Sequence, residues 1–114
     1  PYFRAVIDSL DFFMQRDDPG RVVAMLRMMQ AHTQLYRGIL FITVSNDTIT
    51  PAVKQEMAAI ADMVCDFKVR TIGSDFETSM IVSKFRNAPE NLSIMVYRVT
   101  PEEGITPETV ERIA

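Results

Sequence analysis

The chain has 114 residues, 47% of them apolar, enough for one small domain with a packed core. A net charge of -3 argues against a non-specific nucleic-acid binder, which carries a basic surface, so nucleic acid is not an expected partner. One cysteine, Cys65, excludes an intrachain disulfide and a cysteine-cluster metal site; with no apolar run near the roughly 20 residues of a membrane span and no signal-peptide pattern, a cytoplasmic setting is expected.

Phe3-Arg4-Ala5-Val6-Ile7-Asp8 is an apolar, β-branched run ending on an acid, and it predicts a strand. Residues 10–17 predict a loop with a short helical turn. Asp18-Pro19 marks a helix start, an acidic N-cap with proline at the first helical position. Val22, Met25, Leu26, Met29 and then Leu35 or Tyr36 recur at helical spacing as its core face, and Gly38 closes it. Ile39-Leu40-Phe41-Ile42-Thr43-Val44 is a continuous apolar strand, of the kind buried on both faces. Thr50-Pro51 repeats the helix-start signal, with Val53, Met57, Ile60, Ala61 and Val64 as the second core face.

Three strand-like runs follow, at 65–72, 78–85 and 92–99. Gly73-Ser74-Asp75 and Asn87-Ala88-Pro89 are the turns between them. The last two runs alternate, which suits antiparallel strands with one exposed face. The tail, residues 100–114, holds Pro101, Gly104 and Pro107 and is expected to end in one helical turn. The pattern β-α-β-α-β-β-β predicts an α/β fold over a single domain, residues 1–114: a parallel crossover first, an antiparallel extension after it.

Three groups carry candidate chemistry. Asp8-Ser9 stands at the tip of the first strand, and Thr43, Ser45 and Asn46 at or just beyond the tip of the second. Parallel strands put both tips on one edge, where ligands bind in α/β sheets. Lys84-Phe85-Arg86 places two cations two residues apart as a strand ends, a fork suited to phosphate oxygens. Each group also has a plain structural role open to it: a turn cap for Asp8, strand-end hydroxyls for Thr43 and Ser45, a solvated strand face for the cations. His32 lies within the first long helix, away from the strand tips, and Cys65 reads as a small apolar group. No zinc spacing, nucleophile elbow or EF-hand loop is present.

In order and spacing these pieces resemble the KaiC-like group of RecA-superfamily ATPases. Val6-Ile7-Asp8-Ser9-Leu10 resembles the Walker B strand of that group. Asp17-Asp18-Pro19, the long helix, Gly38 and the strand to Thr43 follow in the family's order, as do Ala61-Asp62, Lys84-Phe85-Arg86 and Gly104-Ile105. The C-terminal stretch is also similar to the archaellum accessory ATPases (FlaH) of this group. The resemblance implies the C-terminal half of a RecA-like P-loop ATPase core, with Mg²⁺ and ATP as cofactors. It implies that Asp8 holds Mg²⁺ through water, with Ser9 beside it, and that Thr43 and Ser45 lie near the γ-phosphate. It implies a homo-oligomeric ring, with a hexamer as one option, in which Lys84 and Arg86 reach a neighbour's nucleotide. A protein partner is compatible with such an assembly.

The chain departs from the family in three places. It has no Gly-x-x-x-x-Gly-Lys-Ser/Thr motif, so the backbone that cradles phosphates is missing. The acid that polarises the attacking water in this family lies upstream of the Walker B strand, and no counterpart is present. Asn87 stands where the family often has glycine. In the family's sheet, a strand also lies between those matching residues 39–44 and 65–72, and its absence leaves a gap. Two other readings stay open: a non-enzymatic interaction or regulatory module built on this fold, and a tautomerase using Pro1 as an N-terminal secondary-amine base.

Overall fold

A computed structural model describes residues 2–86, 93–108 and 111–112. The chain divides into two compact units, residues 1–61 and 62–114.

The first unit runs β1 (Arg4–Ile7), α1 (Asp11–Arg16), α2 (Pro19–Leu35), β2 (Ile39–Ile42), a 3-10 turn (Asn46–Thr48) and α3 (Pro51–Ile60). β1 and β2 pair in parallel, from Arg4 against Ile39 to Ile7 against Ile42. Parallel partners need a crossover, and α1 with α2 supplies it. The pairing continues past the strand ends: Thr43 N–H donates to Ile7 O at 3.0 Å, and Leu10 N–H to Thr43 O at 2.9 Å.

The core of this unit forms around Leu10, Met14, Val22 and Leu26, all buried. Ile7, Ile42, Val53, Met57 and Ile60 pack against them. Residues 10–17, expected as a loop with one turn, instead form Leu10 and a complete short helix. Leu10 is the most buried of the described residues and Met14 follows one turn later, so tertiary burial stabilises a helix too short to be recognised by periodicity. On α2, Val22, Val23 and Leu26 are buried, while Leu35 and Tyr36 are exposed, contrary to the expected core face. Tyr36 stacks with His32 at 4.5 Å, and His32 with Phe3 at 5.8 Å.

α2 ends as expected before Gly38, by a different device. Arg37 takes the left-handed conformation (φ 53°). Arg37 N–H donates to Gln34 O and Gly38 N–H to Thr33 O, the Schellman pattern. A Cβ at Gly38 would meet the Phe3 ring, so any larger residue there requires that ring to shift. The expectation that β2 is buried on both faces is also corrected. Leu40 and Ile42 are half-buried, while Ile39 and Phe41 are exposed together with Arg4 and Val6 of β1. Core side chains meet the β1–β2 sheet through Ile7 and Ile42, which share one face.

α3 stops at Ile60; Ala61 is an extended cap and Val64 belongs to the next strand, so neither extends the helical face. The second unit holds β3 (Met63–Ile72), β4 (Asp75–Phe85), β5 (Ser93–Thr100), β6 (Gly104–Pro107) and β7 (Glu111–Arg112). They form one antiparallel sheet in the order β3-β4-β5-β6, with β7 also paired to β5. Gly73, at φ 60°, opens the two-residue turn between β3 and β4. A register shift falls between Val64 and Cys65. The described residues of the tail form β6 and β7 where a helical turn was expected; residues 109–110 and 113–114 lie outside the described residues. The turn at Asn87-Ala88-Pro89 lies outside the described residues, as does Pro1.

The molecule is therefore mixed α/β, with a two-stranded parallel sheet and a larger antiparallel one. Among the described residues no helix lies between β3, β4 and β5, unlike the repeated β-α-β units that a tautomerase requires.

Candidate functional site

The parallel pairing of β1 and β2 delivers two chain segments to one edge. β1 ends at Ile7 and is followed by Asp8-Ser9; β2 ends at Ile42 and is followed by Thr43, Val44 and Ser45. There the Thr43 hydroxyl donates to Asp8 Oδ1 at 2.8 Å, across 35 residues of sequence. Asp8 is exposed, and the bond orients one carboxylate oxygen. The peptide joining Asp8 to Ser9 is cis. Ser9 faces inward along the chain: its Oγ accepts Asp11 N–H at 3.2 Å, at the start of α1.

Asp11 and Thr48 complete the cluster and were not anticipated from sequence. Asp11 Oδ1 accepts Ser45 N–H at 2.9 Å and the Thr48 hydroxyl at 2.8 Å. The Ser45 amide, and after it the Thr48 hydroxyl, hold the Asp11 carboxyl below its usual pKa. The Thr48 hydroxyl also reaches Ser45 O at 2.9 Å, and Ser45 Oγ accepts Asp47 N–H at 3.4 Å. Asp11 thus ties the loop after β2 to the start of α1. The available signal was the density of Asp, Asn, Ser and Thr in residues 45–50, which form local side-chain turns. Asn46 lies in the 3-10 turn.

The donor set is oxygen only: one exposed carboxylate, with the hydroxyls of Thr43 and Ser45 nearby in sequence and fold. Such a set fits Mg²⁺, which keeps most of its waters and takes one or two carboxylates alongside substrate phosphates. Among the described residues no group of three His, Cys, Asp or Glu side chains could hold a metal unaided. Of this set, Asp8 is the carboxylate that could hold such an ion.

Lys84 and Arg86 belong to the second unit. Lys84 is half-buried in β4, opposite Val64 at the register shift. β4 ends at Phe85, so Arg86 is the first residue beyond the strand. Its guanidinium pairs with Asp62 Oδ1 at 2.7 Å, and its N–H donates to Asp62 O at 2.9 Å. Cys65 is half-buried; burial, then the charge of Asp66, pushes its thiol pKa up, so it is not an activated nucleophile.

The architecture defines a class before it defines a family: a mixed α/β chain whose parallel strands present a carboxylate and hydroxyls at their C-terminal tips. Residues 3–98 match DUF7125, a family of unknown function, and the chain belongs to that family. Its fold is similar to part of the flagellar accessory protein FlaH from Methanocaldococcus jannaschii, with a TM-score of 0.68 and 22% identity. That likeness covers 93% of this chain and 47% of FlaH, so the chain spans less than half the length of its structural relative. A comparison with curated proteins found no match.

Proposed function

We propose that the chain supplies part of an ATP site in a KaiC-like, RecA-fold ATPase that assembles into a cytoplasmic homo-oligomeric ring. Asp8 receives Mg²⁺, and Thr43 holds one Asp8 oxygen so that the other is free to meet the ion's waters. Ser45 and Thr43 stand where the terminal phosphate of ATP would lie, and Ser9 flanks the same edge. Lys84 and Arg86 address a neighbouring protomer's nucleotide, where cations stabilise charge developing on the transferred group. The bound metal supplies charge neutralisation of the phosphates; the chain's own residues supply position.

The observation that carries this reading is the 2.8 Å bond between Thr43 and Asp8 at the tips of two parallel strands. The fold shared with FlaH supports it, and so does the run of family-like motifs in the sequence. The chain carries no phosphate-loop motif, whose backbone N–H groups and lysine make most triphosphate contacts. Affinity of the chain alone for Mg-ATP should therefore be weak, and NMR titration is the suitable measurement. Amide shifts should appear at Asp8, Thr43 and Ser45, require Mg²⁺, and disappear in Asp8→Asn with the fold unchanged. Should Asp8 only cap a turn, Asp8→Asn would leave both stability and the shifts nearly unchanged, whereas Asp8→Ala would lower stability by about 0.5–2 kcal/mol. Shifts at other residues, or submicromolar affinity, would sink the proposal.

One observation favours a second reading, a non-enzymatic interaction module. Arg86 is already engaged by Asp62 through both side chain and backbone, as a structural cation would be.

A further inference from the structure

Asp8 and Asp11 stand at either end of the turn that joins β1 to α1, and one short segment, residues 43–48, meets both. Two main-chain bonds begin the contact: Thr43 N–H donates to Ile7 O, and Leu10 N–H donates to Thr43 O. Past them the parallel ladder ends, and side chains carry the pairing on. The Thr43 hydroxyl donates to Asp8 Oδ1 at 2.8 Å. Ser45 N–H and the Thr48 hydroxyl donate to Asp11 Oδ1 at 2.9 Å and 2.8 Å. Thr43 is thus fixed twice: its own amide and carbonyl by main chain, and the residue two further on by Asp11. Its hydroxyl is kept where it meets Asp8.

This arrangement limits the oxygens that Asp8 can offer. A free carboxylate presents two. Here Oδ1 already accepts the Thr43 hydroxyl, so a cation using both oxygens competes with that bond. Divalent cations differ in this respect. Ca²⁺ takes about 6–8 oxygens and readily binds a carboxylate through both of its own. Mg²⁺ gives up its waters reluctantly and needs only one carboxylate oxygen, directly or through water. Among the described residues no group of three acidic, His or Cys side chains offers Ca²⁺ the further ligands it would want. We infer that Thr43 is a specificity-determining residue, which tilts the site from Ca²⁺ toward Mg²⁺ by occupying one Asp8 oxygen, and that Asp11 is the positioning residue that keeps Thr43 in place. The inference rests on the proposed role of Asp8 and adds what selects the ion.

The test needs no nucleotide. Titration of the chain with MgCl2, and separately with CaCl2 at fixed ionic strength, followed by the Asp8 amide signal in NMR, gives the ratio of the two affinities. Thr43→Val keeps the side-chain shape and removes the hydroxyl. It should move the ratio toward Ca²⁺ by roughly 2- to 10-fold, the range one intramolecular hydrogen bond can supply. Asp11→Ala should move it the same way, and Asp11→Asn, which keeps an acceptor oxygen, should restore most of the wild-type ratio. Gln30→Ala removes the 2.6 Å bond from Gln30 Nε2 to Ile60 O, between α2 and the end of α3. It should lower stability and leave the ratio alone, which separates lost positioning from lost stability. If Asp11→Ala fails to fold, Thr48→Val, which removes one of the two donors to Asp11, decides in its place. A ratio unchanged in Thr43→Val and Asp11→Ala would overturn this inference and leave the reading of Asp8 standing. A ratio that moves as far in Gln30→Ala as in Asp11→Ala would overturn the positioning role. Absence of any metal-dependent shift at Asp8 in the wild-type chain would overturn both the inference and the reading it rests on.

Discussion

Asp11 accepts two hydrogen bonds through a single carboxylate oxygen, from the Ser45 amide and the Thr48 hydroxyl. Both donors lie on the loop that follows β2, so Asp11 sets where Ser45 sits relative to Asp8. Its depressed pKa has a direct consequence for stability. The carboxylate contributes fully above the unfolded-state value near 3.8, and the contribution is lost as pH falls through the lower folded-state value. Asp11→Ala should therefore lower the melting temperature at pH 7, and the gap from wild type should shrink as pH is taken below about 3.8. Asp11→Asn keeps an acceptor oxygen and should fall between the two at neutral pH, with no comparable narrowing. A gap that stays constant down to pH 2 would show that the carboxylate charge is not what the loop uses.

At the scale of elements, the two helix starts look alike in sequence and differ in structure. Thr50 Oγ1 accepts Val53 N–H at 3.3 Å ahead of Pro51. Asp18 stands in the same place ahead of Pro19, yet its side chain makes no cap bond; Asp17 instead accepts Asp18 N–H and pairs with Arg21. Thr50→Ala should cost about 1 kcal/mol by chemical denaturation. Asp18→Ala should cost only the few tenths expected of an acid near a helix N-terminus. Equal costs would mean that the two caps work alike in solution.

The same contrast marks what was legible beforehand. Proline after a capping residue located both helices, and continuous β-branched runs located β1 and β2. Their crossover then put Asp8 and Thr43 at one edge, so the pair at 2.8 Å was within reach of sequence. Asp11 was not, because its partners are 34 and 37 residues away and its helix is too short to show a period. Leu10 was missed for the same reason: one buried leucine in a loop-like stretch has no pattern. β6 and β7 escaped because strands of 4 and 2 residues beside Pro101 and Gly104 look like turns. Lys84-Phe85-Arg86 spans the end of a strand: β4 stops at Phe85, beside the register shift opposite Val64 and Cys65, so strand alternation stops short of Arg86.

At the scale of the whole molecule, the proposed assembly makes Arg86 and Asp8 parts of one site built from two protomers. In an assembly with a complete phosphate-binding loop, Arg86→Ala should spare ATP affinity and slow hydrolysis, by up to about 10³-fold. Mixing it with Asp8→Asn should restore part of the rate, since each variant provides what the other's interface lacks. Mixtures no faster than the separate variants would leave Arg86 to its pair with Asp62. That pair is part-exposed on both sides and so worth about 0–1 kcal/mol.

The two-residue turn at Gly73-Ser74 has a consequence in time. It closes the ladder from Ile72 against Asp75 out to Met63 against Phe85, pairing neighbours along a single hairpin. β1 and β2, by contrast, are separated in sequence by two helices. Loop closure is cheapest for near neighbours, and hairpins form in about 1–10 μs, so β3 and β4 should zip first and give the later strands an edge to join. In pulse-labelling hydrogen exchange, amides of β3 and β4 should gain protection before those of β1 and β2; the reverse order would place the nucleus in the crossover instead.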